Sequence, residues 1–101
     1  MPDEAVSNFL GITQRINEFS TRKDFRLKIT VHARKRMKER SISELDIRSI
    51  LRSGHVIKHE ADDKGERYKM RGETDDERKI AIIISFLNDA IRVTVVTVWK
   101  D

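Results

Sequence analysis

The amino-acid sequence predicts an α+β domain in which N-terminal helices pack on a twisted antiparallel sheet of four to five strands. Up to Gly54, apart from a short alternating stretch at Phe25 to Thr30, the apolar residues recur every three or four positions, the spacing of amphipathic helices. Beyond Gly54 they alternate, or run together in short β-branched stretches bounded by turn residues, the spacing of strands. Size is the third observation, because 101 residues suffice for one core and fall short of two ordinary domains. The expected organisation is an amphipathic helix and linker over residues 1–24, then one α+β unit over residues 25–101.

Ala5, Phe9, Ile12, Ile16 and Phe19 form one stripe along a helix from about Asp3 to Phe19. Such a stripe must be covered, either by the rest of the domain or by a second copy of the chain, so residues 3–19 are a candidate homodimer face. After a polar link from Ser20 to Asp24, Phe25, Leu27 and Ile29 alternate with Arg26, Lys28 and Thr30, as in a half-buried strand. Thr30 can cap a helix running to Arg40, because its hydroxyl can accept an unpaired backbone N–H. Ser43, with Asp46 three residues on, offers a capping box for a second helix with Leu45, Ile47, Ile50 and Leu51 on its buried side and Gly54 at its end.

His55 to Glu60 and Glu66 to Arg71 read as strands flanking a turn-rich link from Ala61 to Gly65. In the second strand Tyr68 and Met70 face one way, and Arg67, Lys69 and Arg71 the other. Gly72 to Glu77 lacks calcium-loop spacing and reads as a solvated acidic connection. Ile80 to Phe86 is nearly continuously apolar, as in a central strand covered on both faces. After a turn at Leu87-Asn88-Asp89 the chain returns as Ile91 to Trp99, with Ile91, Val93, Val95, Thr97 and Trp99 expected on one face.

Composition narrows function. The chain has no cysteine, so disulfides and thiolate zinc sites are excluded, and three scattered histidines make a poor metal set. No metal or cofactor is expected. No run approaches about 18 apolar residues and the N-terminus lacks signal-peptide organisation, which points to a soluble cytoplasmic protein without a membrane partner. The net charge is +4, yet residues 21–40 alone carry nine basic and two acidic side chains. Such concentration suits an anionic partner such as RNA.

Within that stretch, Thr30 to Arg40 (TVHARKRMKER) carries the chemistry. At roughly 100° per residue, with His32 at zero, Arg36 falls near 40°, Arg40 near 80°, Ala33 near 100° and Met37 near 140°. His32, Arg36 and Arg40 therefore share the half of the helix that must pack. Imidazole is the side chain whose ordinary titration lies nearest neutrality, which makes His32 a candidate acid or base, and guanidinium groups suit phosphate. The plain structural alternatives are a capping or core His32, and Arg36 and Arg40 tied to Glu44, Asp46 or Glu60 in ion pairs.

The segment His32-Ala33, Arg36-Met37, Arg40 and Ile42-Ser43, together with Gly54, Tyr68 and Val96-Thr97-Val98, resembles the small bacterial domain-of-unknown-function family 4258. The resemblance covers about residues 25 to 99 and leaves the first 24 outside. That family is similar in layout to the RelE/ParE-like toxins and the wider barnase, EndoU and colicin ribonuclease fold. The resemblance implies a toxin-like, metal-independent endoribonuclease with an antitoxin protein as partner. On that implication Thr97 and Tyr68 join His32, Arg36 and Arg40. His32 would act as acid or base, Arg36 and Arg40 as phosphate clamp, and Thr97 as a positioning hydroxyl, while Arg67, Tyr68, Lys69 and Arg71 contact the RNA. The other reading is a non-catalytic module that binds nucleic acid or protein, dimeric through the N-terminal helix.

Overall fold

A computed structural model of the chain describes residues 9–63, 65–74, 76–87 and 90–99. In chain order the elements are α1 (Leu10–Phe19), β1 (Arg26–Ile29), α2 (Val31–Glu39), α3 (Glu44–Ser53), β2 (His55–Asp62), β3 (Gly65–Glu73), β4 (Lys79–Leu87) and β5 (Ala90–Trp99). The five strands form one open sheet in the order β1-β5-β4-β3-β2. The three pairs among β2 to β5 are antiparallel, whereas β1 joins β5 in parallel, so the sheet is mixed rather than wholly antiparallel. No helix among the described residues is long and apolar enough to cross a membrane.

The capping chemistry forms as the residues suggest. The Thr30 side chain accepts from Ala33 N at the start of α2, and Ser43 and Asp46 form a complete capping box on α3. Gly54 ends α3, though not through a left-handed turn, since its φ of −77° and ψ of −177° are extended. Close approach is what requires glycine there: a Cβ on Gly54 would lie 2.6 Å from the Ile50 carbonyl oxygen and 2.7 Å from that of Arg71. This lets α3 rest directly on β3.

One face of the sheet carries the core. Ile16 of α1, Ala33 and Met37 of α2, and Ile47, Ile50 and Leu51 of α3 pack on Val56, Met70, Ile80, Ile82, Ile84, Ile91, Val93 and Val96. Of the α1 stripe, Ile16 is buried, and Phe9, Ile12 and Phe19 are half-buried against the same core. Asn17 also donates to Leu51 O at 2.7 Å, and Thr13 Oγ1 accepts from Val56 N at 3.0 Å. The expected helix start at Asp3, and Ala5 on its stripe, lie outside the described residues, as do Lys64 of the first link, Asn88-Asp89 of the last turn and the Trp99 side chain.

Three expectations need correction. Leu45 is not on the buried side of α3 but 77% exposed, because it lies two residues from Ile47, about 200° around the helix from the Ile47-Ile50-Leu51 face. The described helices cover the central strand β4 on one face; on the other, Ile83 is half-buried beside Val95. Finally, β5 does not keep one face. Its register on β4 shifts so that Ile84 pairs with Val93 while Ile83 pairs with Val95, leaving Thr94 as the extra residue of a bulge. Ile91 and Val93 thus point into the core, whereas Val95 and Thr97 turn to the open face and Val96 to the core. A one-residue slip exchanges the faces of a strand.

These placements give opposite expectations for two substitutions followed by urea unfolding. Gly54→Ala should cost about 1–3 kcal/mol, because its Cβ meets backbone oxygen and the helix must shift. Leu45→Glu should stay within about 0.5 kcal/mol of the parent, as for other exposed positions.

Candidate functional site

α2 carries six charged or imidazole side chains on nine residues and buries only Ala33 and Met37. It lies beside β5, beyond the four residues that pair with β1. Its line is fixed at the start by Thr30, whose N–H donates to Val93 O at 3.0 Å and whose hydroxyl lies 3.5 Å from Thr94 O. With Ala33 and Met37 turned into the core, the flank of α2 that faces the end of β5 presents His32, Arg36 and Arg40. Together with Val95, Val96 and Thr97 these line a concave hollow of about 280 Å³. The bulge at Thr94, where the Thr94 hydroxyl donates to Ile83 O at 3.2 Å, is what delivers Thr97 to this rim.

The carboxylates that could have neutralised the two arginines are engaged elsewhere. Glu44 lies 3.8 Å from Arg34 and 3.5 Å from Arg48, Asp46 pairs with Arg78 at 3.3 Å, and Glu60 pairs with Lys58 at 2.8 Å. Arg36 meets Glu39 one turn on at 3.5 Å, an exposed pair of small energetic weight. Arg40 has no ion pair among the described residues. His32 is exposed and does not cap the helix, since Thr30 does. The hollow is therefore electropositive, with two guanidinium groups and an imidazole facing solvent.

The remaining candidates divide between the faces of the sheet. Arg67, Lys69 and Arg71 stand on the open face, where Lys69 and Arg71 line, with Ile57, Ala81 and Thr97, a second depression of about 280 Å³. Thr97 belongs to both concavities, so the hollow continues onto the sheet. Lys58, Glu60, Arg67, Lys69 and Ile83 line a further depression of about 120 Å³ towards β2. Tyr68 is not brought to this surface. It faces the helix side, stacked on His59 with ring centroids 4.8 Å apart and edge-on to Phe86 at 6.2 Å. Its hydroxyl donates to Glu66 at 3.3 Å, and burial, then the Glu66 charge, raises its pKa above the ordinary phenol value.

The β3–β4 connection, expected from its sequence to be a solvated acidic link, is anchored. Thr74 is buried, and its hydroxyl donates to Asp76 while its N–H donates to Arg78 O at 2.9 Å. Arg78 then reaches back under the α2–α3 turn. Nothing in a run of six residues with four acidic ones distinguishes an anchored loop from a solvated one. The signal that exists is the Thr74 and Arg78 pair at its two ends.

Fold and geometry together define a small α+β domain with a cationic hollow where a short basic helix meets the last strand. Residues 29–100 match the family described as domain of unknown function DUF4258, and the chain belongs to that family. The matched span takes in every residue of the hollow and leaves α1 outside. Compared with curated proteins and with solved structures, the chain finds no match.

The loop predicts a pH signature. The Asp76 carboxyl is held below the ordinary carboxylate range, first by the Thr74 hydroxyl and then by Arg78. A depressed folded pKa contributes stability above the unfolded value of about 3.9, and that contribution is lost as pH falls through the folded value. The stability gap between the parent and Asp76→Asn should thus be open at neutral pH and close in acid, as read by melting temperature from pH 7 to 2.5.

Proposed function

We propose that this protein is a toxin-like, metal-independent endoribonuclease acting on single-stranded RNA. The observation that carries the reading is the convergence of His32, Arg36, Arg40 and Thr97 on one solvent-open hollow. In this reading the scissile phosphate lies between the Arg36 and Arg40 guanidinium groups, which stabilise the charge that grows on its oxygens. The ribose 2′-oxygen attacks phosphorus, the 5′-oxygen leaves, and the products are a 2′,3′-cyclic phosphate and a 5′-hydroxyl. His32 serves one of the two proton transfers and solvent the other, because the lining holds no second imidazole and no carboxyl group. The Thr97 hydroxyl orients a phosphate oxygen or the ribose at the rim.

Support comes also from the surface that continues past Thr97. Lys69, Arg71, Arg67 and Lys58 border an apolar floor of Ala81 and Ile83, an arrangement that can hold a phosphodiester backbone at its edge and bases on its floor. The layout resemblance to RelE/ParE-like toxins points the same way, and an antitoxin protein would then occupy the hollow or the sheet face in the uncleaving state. The absence of a second acid or base from the lining favours, as the competing reading, a module that binds RNA without cleaving it.

Purified protein incubated with an end-labelled single-stranded RNA separates the readings. Cleavage should fall by about 10²-fold or more in His32→Ala with RNA affinity kept, whereas Arg36→Ala and Arg40→Ala should weaken both affinity and rate. Binding without cleavage in the parent would leave the binding module, and neither binding nor cleavage would remove the RNA reading. In growing cells, induced parent protein should arrest growth and His32→Ala should not.

A further inference from the structure

Arg40, the third cation of the hollow, is the C-cap of α2, tied to the helix by its N–H, which donates to Arg36 O at 3.0 Å. It follows the last helical residue, Glu39, with φ of −105° and ψ of 5°, and the next residue, Ser41, is left-handed at φ of 56°. The final carbonyls of a helix have no partner within it, and a non-glycine residue in the left-handed region carries backbone strain. Ser41 N and Ile42 N turn back to Lys38 O at 3.4 Å and Met37 O at 2.8 Å, and this closure leaves the carbonyls of Arg40 and Ser41 unused by the helix.

The structure supplies a partner from a distant segment. Arg78, at the end of the β3–β4 connection, donates from Nη1 to Arg40 O at 3.0 Å and to Ser41 O at 2.9 Å. Its Nη2 donates to Asp46 Oδ2 at 3.3 Å, the same oxygen that accepts from Ser43 N at 2.9 Å in the capping box of α3. Its Nε is buried and lies 2.9 Å from Asp76 Oδ2, in ion-pair contact but off the line of a hydrogen bond. One guanidinium thus joins the two residues that end α2, the cap of α3 and the loop before β4.

We infer that Arg78 is a positioning residue for the hollow: it fixes the backbone from which Arg40 projects, so that Arg40 meets the phosphate together with Arg36. The planar fork is what the task needs. Two carbonyls side by side are met by one nitrogen while the others hold the two carboxylates, and a lysine ammonium cannot span the same set. The inference deepens the ribonuclease reading and rests on it for its effect on rate, while the anchoring itself is independent of RNA.

A double-mutant cycle on the full chain tests it, at a temperature where circular dichroism shows every variant folded. Arg78→Gln should lower RNA cleavage by about 10- to 100-fold, up to the loss that a 1 Å misplacement of a reacting group can cause, and Arg78→Lys should restore only part of the loss. In an Arg40→Ala background, Arg78→Gln should cost nothing further, because the group it positions is gone. Equal losses in the two backgrounds would overturn the inference, since they would mark Arg78 as a general stabiliser. A second arm uses no RNA: backbone ¹⁵N relaxation should show Arg40 and Ser41 loosened in Arg78→Gln, with Val31 to Arg36 unchanged. Unchanged relaxation at Arg40 and Ser41 overturns the inference even where RNA is cleaved. An inert parent protein overturns the ribonuclease reading alone, with this arm still deciding whether Arg78 holds the end of α2.

Discussion

Thr30 sits where three things have to happen within one residue, and the geometry of the hollow depends on how it does them. Its N–H closes the β1 side of β5 on Val93 O, its hydroxyl accepts Ala33 N as the cap of α2, and the same hydroxyl lies 3.5 Å from Thr94 O at the bulge. The strand therefore ends, the helix begins, and β5 changes phase at one point. Each event alone is ordinary. Coupled, they set the distance between α2 and the last residues of β5, and they turn Thr97 outwards while Val96 still packs in the core.

α2 could not hold its place by its own chemistry. A helix of nine residues is too short to persist alone in water, and only two of its side chains, Ala33 and Met37, are buried. Its charges lower that prospect further, since Arg34, Lys35, Arg36, Lys38 and the following Arg40 repel one another. What keeps it is polar anchoring at both ends, Thr30 at the first turn and Arg78 at the last, around a two-residue apolar grip. This division of labour leaves the flank free. Side chains that would otherwise be needed for packing are available to face a ligand.

Much of this was legible in the residues, and the parts that were not share a cause. Thr30, Ser43 and Asp46 announce helix starts because capping is a matter between neighbours in sequence, and Ala33 and Met37 announce the buried side of α2 by spacing alone. The common flank of His32, Arg36 and Arg40 follows from the same rule. By contrast, IRVTVVTVW gives no hint of its bulge: every residue in it suits a strand on either face, and the slip is decided by the Thr94 hydroxyl meeting Ile83 O and by Thr30, 64 residues away. The parallel pairing of β1 is likewise fixed by where β5 runs and not by RLKI itself. Leu45 shows the limit of spacing: four apolar residues stand close together in α3, but only Ile47, Ile50 and Leu51 share a face. Tyr68, placed correctly beside Met70 by alternation, belongs for that reason to the helix side and not with Thr97.

The open face of the sheet explains why a nearly continuous apolar strand need not be covered by helices. Ala81 is 6% exposed and Ile83 half-buried although none of the described helices lies over them. Their neighbours across the strands are Arg71 and Lys69, with Lys58 beyond, and the long stems of such side chains cover apolar surface while their charged ends stay in water. That cover is conditional. When the charged ends turn to a phosphate, the stems must move with them and the floor of Ala81, Ile83 and Val95 is opened to whatever brings the phosphate. A ligand that is anionic at its edge and flat and apolar at its centre replaces the cover it displaces, whereas a simple anion does not. In the proposed RNA reading, the residues that cover this face would meet stacked bases joined by phosphodiesters, and Thr97, shared by both concavities, is where such a strand would pass into the hollow beside α2.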